Sequence, residues 1–327
     1  MPLIIVILGI CLLLFLILVV KFNSFLSFVI VALSVGLAEG MTLDKTITSI
    51  ENGIGNTMGF LVLILGLGSM LGKLVSESGA AQRITLKLVD AFGIKHIQLA
   101  LMLTGFIVGV SLFYDVGFFI MIPLVFTVAA STGLPLLYVG LPLLAALSVT
   151  HGYLPPHPAP TAIVGMFHAD LGKTLVYGII VAIPAIIISG PFLSKALSKV
   201  PAKPLEEFVN TRPLTEEEMP GFWISFFSAL LPVILISTST IAGFILSEDN
   251  MIRKVLGWVG NPVFAMLLSV LFAIYALGLA RGRKITEIMN SLAHSVTSIT
   301  MIMLLIAGAG ALKQVLVDGG VSTYIGG

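Results

Sequence analysis

Charge is the scarcest ingredient of this sequence. Only 10% of its 327 residues are Asp, Glu, Lys or Arg, and 57% are hydrophobic. Soluble domains carry about 25% charged residues. With a mean hydropathy of +1.12, the chain has too little polar surface to face water, so its side chains face lipid or one another. The net charge of +1 supplies no basic field for nucleic acid. Cysteine is nearly absent as well. Cys11 alone excludes an internal disulfide and a cysteine-rich metal centre, and it reads as a small packed or lipid-facing residue. No HExxH pattern occurs, and the spacing of His151, His157 and His168 matches no zinc motif. No metal and no cofactor is therefore expected. Gly-rich 66–72 lacks the strand and the Lys-Ser/Thr pair of a phosphate loop, and close helix packing through small residues explains it better.

What the sequence does have is long apolar runs. A membrane span takes about 20 such residues. Candidates are 3–20, 24–38, 58–72, 97–114, 116–131, 134–149, 174–194, 222–246, 262–280 and 287–312. The first run has no basic residue before it and no small-residue cleavage site after it, so it reads as a span rather than a signal peptide. Basic residues cluster at Lys21, in 73–95, in 195–220 and in the Arg281–Lys284 stretch. If each run crosses once, all of these fall on one face, which is then cytoplasmic. Segment 39–57, with Glu39, Asp44 and Glu51, falls outside. The long polar stretch with Pro201, Pro204, Pro213 and Pro220 reads as a linker, and its acidic run Glu216–Glu218 as a solvated helix start.

An internal repeat links the two sides of that linker. ITSIENG (47–53) echoes ITEIMNS (285–291), and ILGLGSMLGKLVSESG (64–79) echoes IAGAGALKQVLVDGG (306–320). By the charge count the copies run in opposite directions, as in inverted-repeat secondary transporters. The organisation expected is a first transmembrane repeat over 1–194, a cytoplasmic linker over 195–221 and a second, truncated repeat over 222–327. The second copy stops soon after its Gly-x-Gly helix, so the chain reads as lacking a C-terminal part. The fold class is an all-α polytopic membrane protein of inverted-repeat ion-transporter type, with broken or re-entrant helices.

Two segments carry chemistry. In SLFYDVGF (111–118), Asp115 sits beside Tyr114 at the junction of two apolar runs. A carboxylate there is either a proton-coupling group in a cavity-lining break or a solvated residue in an exterior turn. In SVTHGYLPPHPAPTAIVGMFHADLGK (148–173), the prolines forbid a continuous helix. Pro160 and Thr161 then open a half-helix whose positive end suits a carboxylate. His151 and His157 can donate hydrogen bonds or relay protons. His168 and Asp170 read as interfacial loop, His96 as solvated and His294 as a packing histidine.

These two motifs, with GLGSMLGKLVSESGAAQRI (66–84), GLARGRKI (278–285), EEEMPGFW (216–223) and KQVLVDGGVSTYI (313–325), resemble the gluconate permease family along the whole chain. The resemblance implies a multi-pass proton symporter for gluconate or a related small carboxylate in the bacterial cytoplasmic membrane. It puts Thr150, His151, His157, Thr161 and Tyr114 at the substrate, and Asp115 with His151 at proton coupling. Protons, the lipid bilayer and a small acid are the implied partners, nucleic acid is not one, and the apolar spans permit a homodimer. The alternatives are a non-transporting, truncated member of that family and a permease for another small acid such as D-serine. An intramembrane enzyme is disfavoured for want of a nucleophile–base or metal spacing, and a channel for want of a symmetric pore of identical subunits.

Overall fold

The computed structural model describes residues 2–202 and 214–326, so linker residues Lys203, Pro204, Arg212 and Pro213 lie outside the described residues. Every described element is helical: α1 Pro2–Leu14, α2 Ser24–Ala38, α3 Leu43–Glu77, α4 Ala80–Phe92, α5 Ile97–Ser111, α6 Tyr114–Thr132, α7 Leu136–Tyr153, α8 Pro158–Met166, α9 Leu171–Ile187, α10 Phe222–Ile245, α11 Met251–Val259, α12 Pro262–Ala273, α13 Ile285–Asp318 and α14 Val321–Gly326. Helices α1, α9 and α12 each continue through a five-residue π turn. Nine of the described helical stretches are long and apolar enough to cross a bilayer. Of the ten runs read from the sequence, Ser24–Ala38 is the shorter exception.

Three expectations change. The run 58–72 is not a short span but the middle of α3, a helix of 35 residues. Residues 43–57, assigned to an exterior segment, form the first turns of that helix. At about 1.5 Å per residue α3 is roughly 52 Å long, more than the ~30 Å hydrocarbon core, so it tilts or emerges from the bilayer. His294, read as a packing residue, lies exposed on α13.

The chain forms two compact units. One comprises Met1–Leu63 and Ser298–Gly327. Its core joins Leu16, Val31, Val35, Met41 and Ile50 to Ala311 and Val315. Here α3 and α13 cross at glycines: a Cβ on Gly53 would lie 2.5 Å from the carbonyl oxygen of Gly310, closer than any side chain permits. Beside this crossing, Ser49 Oγ donates to Asp318 Oδ2 at 2.6 Å and Gln314 Nε2 to Oδ1 at 3.0 Å.

The other unit is Ile64–Thr297. Its core includes Leu71, Leu74, Ile84, Leu101, Val108, Met121, Leu143 and Leu147. Helix α5 lies along α7, with Gly105 and Gly109 against Leu143, Ala146, Leu147 and Thr150. Residues from three of the four basic segments that the charge count assigned to one face, 73–95, 195–220 and Arg281–Lys284, meet in this unit. Arg83 of α4 is buried, and its Nε donates to the Pro220 carbonyl at 2.9 Å while its Nη1 reaches Glu216 Oε2 at 3.3 Å. Its Nη2 also bonds the Glu216 carbonyl. Arg281 Nη2 donates to the Glu217 carbonyl at 2.7 Å. Glu77, closing α3, takes Arg283 at 3.0 Å, Lys73 at 3.1 Å and Ser291 Oγ at 2.6 Å. Residues 216–218, read as a solvated helix start, form an exposed turn just before α10.

Arg83 is a buried cation satisfied mainly by backbone carbonyls, which makes its removal costly. Arg83→Met should destabilise the folded protein by roughly 1–3 kcal/mol, the cost of unpaired buried polar groups. Glu216→Gln keeps the carbonyl contacts and touches only an exposed carboxylate, so it should change stability by under about 0.5 kcal/mol. Thermal unfolding of both variants in detergent checks the ordering; equal losses would show that the charge pair, not the carbonyl clamp, holds the segment.

Candidate functional site

Two helix interruptions build the site. Helix α5 ends at Ser111, and α6 begins at Tyr114 after the extended residues Leu112 and Phe113. Helix α7 ends at Tyr153, and α8 begins at Pro158 after Leu154–His157, where the Pro155–Pro156 peptide is cis. Prolines explain the second break: Pro158 and Pro160 fit the first turn of a helix but cannot continue one. The half-helix therefore starts earlier than read from the sequence. His157 is its N-cap residue, and Thr161 stands in its second turn rather than at its opening.

The two breaks are joined through His157. Its Nε2 lies 2.7 Å from the Gly109 carbonyl oxygen. A carbonyl only accepts, so Nε2 carries the proton and donates. The Nδ1 of the same ring is buried without a hydrogen-bond partner in the protein, and so is Thr161 Oγ1. Both residues are buried. Positions 157 and 161 are one turn apart on α8, so the two unpartnered atoms stand on one helix face.

His151 lies beside them. Its ring is 4.7 Å from that of His157, centroid to centroid. The backbone N–H of Tyr114, free at the start of α6, points at His151 Nδ1 at 3.4 Å. Phe113 packs beside both histidines, 6.0 Å from the His151 ring and 5.9 Å from the His157 ring. Tyr114 stacks on Phe118 at 6.0 Å. Asp115 occupies the first turn of α6, where the helix dipole favours a carboxylate. The residue is exposed, on the same first turn of α6 as the Tyr114 whose N–H meets His151.

Thus Tyr114, Asp115, His151, His157 and Thr161 gather around one pair of breaks. Thr150 is placed differently: its Oγ1 donates to Ala146 and Leu147 carbonyls of its own helix, and it packs on Gly109. His168 and Asp170 stand apart in the turn before α9, where Asp170 caps the helix by accepting from the Lys173 N–H at 2.7 Å.

Two participants escaped the sequence reading: Phe113 and Ser111, whose hydroxyl bonds the Ala229 carbonyl of α10. The signal for Gly109 was present, since Gly105 and Gly109 form a small-x3-small pair, the pattern of close helix approach. Nothing in the local sequence marks Ser111.

Interrupted helices that end against each other inside a polytopic apolar bundle, lined by two histidines, a hydroxyl and a carboxylate, define a multi-pass membrane transporter rather than an enzyme. Comparison with known proteins gives the family. The model of the GntP family of permeases matches residues 1–327, and the chain belongs to that family. That match takes in every residue of this chain, which spans about three quarters of the length of the curated relatives it matches. The chain is 51% identical over 325 residues to a high-affinity gluconate transporter of Escherichia coli strain K12, covering 99% of this chain and 74% of the relative. It is 50% identical, with the same coverage, to the L-idonate transporter of the Gnt-II system of that strain. A gluconate permease of Bacillus subtilis strain 168 is 45% identical over 335 residues, 99% of this chain and 75% of the relative. The protein is accordingly a multi-pass protein of the bacterial cytoplasmic membrane.

A methyl group at Gly109 tests the contact that joins the breaks. Its Cβ would stand 2.2 Å from Thr150 Oγ1 and 3.3 Å from Leu147 Cα. Gly109→Ala should therefore cost about 1–3 kcal/mol by overpacking and depress transport. The double variant Gly109→Ala with Thr150→Ala should recover most of the folded yield. Gly152→Ala, with nothing within 4 Å of its Cβ, should behave as wild type. Folded yield by size-exclusion chromatography separates these; an undisturbed Gly109→Ala protein would mean α5 and α7 do not pack this closely.

Proposed function

We propose that this permease carries gluconate or a related small sugar acid inward together with protons. The observation that carries the reading is the pair of buried, unpartnered acceptors, His157 Nδ1 and Thr161 Oγ1, at the start of a half-helix beside His151. A polyhydroxy acid offers hydroxyl donors for both atoms and a carboxylate for the positive end of α8. The relatives' names, gluconate transporter and L-idonate transporter, point to the same substrate class. D-serine, also a small hydroxylated carboxylate, is the second reading.

Asp115 with His151 is the proposed proton path. Asp115 is reachable from outside the packed core and sits next to a ring whose Nε2 can pass a proton on. The imidazole of His157 is tied to a carbonyl and serves substrate rather than protons.

The halves 1–194 and 222–327, joined by 195–221, are proposed as inverted repeats. Two local pairings support this. Helices α3 and α13 have 35 and 34 residues, and each ends on a carboxylate followed two residues later by a glycine at positive φ, Gly79 and Gly320. Glu77 takes the hydroxyl of Ser291 near the start of α13, and Asp318 takes that of Ser49 near the start of α3, both at 2.6 Å. Exposed apolar helices such as α1 leave faces on which two copies can pair as a homodimer.

Uptake of labelled gluconate into liposomes, with and without an inward proton gradient, tests the proposal. The gradient should drive accumulation. Asp115→Asn should abolish accumulation while leaving gluconate exchange across the membrane. Thr161→Val should raise KM about tenfold, the equivalent of about 1.4 kcal/mol. Accumulation by Asp115→Asn equal to wild type would remove Asp115 from the coupling path. If the wild type moves D-serine but no sugar acid, the second reading replaces the first.

A further inference from the structure

Helix α11, Met251–Val259, has no buried residue although it lies between two spans. Met251 is 69% exposed, Ile252 62%, Val255 41% and Trp258 71%. At 100° per residue these four share one arc of the helix. The opposite side is tethered. Arg253 Nη1 donates to the Leu246 carbonyl at 2.9 Å and its Nη2 pairs with Glu248 at 3.6 Å, and Gly260 is buried against Leu235 and Ser239 of α10. Asn250 caps the helix by accepting from the Ile252 N–H at 2.8 Å. The apolar arc is thus held outward by a built framework.

The flanking elements say what covers it. Helix α10 has 24 residues and is a span, as is the stretch from Pro262 to Arg281. They are joined by residues 246–261, so α11 lies where both spans leave the hydrocarbon. A short helix at that level, with an apolar arc flanked by Lys254, has the character of an interfacial helix. Trp is enriched at this depth.

We propose that α11 is an interfacial anchor, its Met251, Ile252, Val255 and Trp258 arc seated about 5–10 Å deep at the boundary of headgroups and acyl chains. Its partner is the bilayer itself. The anchor fixes the level at which α10 leaves the membrane, and through Ser111 the level of the α5 end that α10 contacts.

The chain has two tryptophans, Trp223 and Trp258, which makes the test direct. In full-length Trp223→Phe protein, Trp258 is the sole emitter. The protein is reconstituted in phosphatidylcholine vesicles brominated either just below the headgroup or near the chain ends. Shallow bromine should quench Trp258 more than deep bromine, and aqueous acrylamide should quench it weakly. Strong acrylamide quenching without bromolipid quenching would place the arc in water and overturn the proposal. Insensitivity to both quenchers would place it under protein and overturn it equally. If Trp223→Phe does not fold, the difference between wild type and Trp258→Phe gives the same readout.

Discussion

A helix that stops inside a membrane leaves carbonyls and N–H groups with no water to bond, and each must find a partner in the protein. The bond from His157 to the Gly109 carbonyl answers that requirement here. The last turn of α5 exposes a carbonyl, and a side chain from the other break supplies its donor. In the same way the free N–H of Tyr114 meets His151. Neither break is stable alone, and each supplies what the other lacks. The closeness this demands explains Gly109, because any side chain there would push α5 away from Thr150 and out of reach of His157.

The polar end of the same unit obeys the same accounting with water nearer. Arg83 is buried, and a buried cation is tolerated only when paired and hydrogen-bonded. Its fork takes carbonyls and a carboxylate from the turn before α10. Arg281 takes a carbonyl from that turn. The segment entering α10 is therefore clamped on backbone rather than on side-chain charge, so its sequence is less constrained than its path. Arg suits this task better than Lys because its planar fork reaches several acceptors at once.

Long apolar runs and prolines were legible in the sequence because each has a local physical meaning. Hydropathy marked the spans, and the Pro155–Pro160 run marked the break, since proline acts wherever it stands. The sequence marked 111–118 and 148–173 as two separate polar stretches, and only the family resemblance put Tyr114, Asp115, His151, His157 and Thr161 together. Other features were not local. Residues 43–57 carry Asp44, Lys45 and Glu51 and so escape a hydropathy reading, yet they continue α3. The N-cap of α8 fell on His157 because Pro158 and Pro160 both fit a first turn, and the spacing alone does not choose between them. The family resemblance put Thr150 at the substrate; in the structure its hydroxyl bonds carbonyls of its own helix and it packs on Gly109. Ser111 and Ala229 meet across 118 residues, which no local pattern encodes.

The unpartnered atoms at His157 and Thr161 bear on selectivity. Leaving a buried acceptor unsatisfied costs roughly 1–3 kcal/mol. A substrate with hydroxyls in the right places removes that cost, and a plain carboxylate of equal size does not. Sites built around hydrogen bonds reject analogues lacking the group far more strongly than apolar pockets reject an extra methylene. On the proposed reading, affinity for the carboxylate comes from the half-helix end and is shared by all small acids, while discrimination comes from the two acceptors. His157 is then constrained twice: its Nε2 holds the two breaks together, and that same bond fixes the tautomer that leaves Nδ1 open to a substrate hydroxyl. A residue at this position must donate on one side and accept on the other within a rigid ring, which among the common side chains only a neutral histidine does.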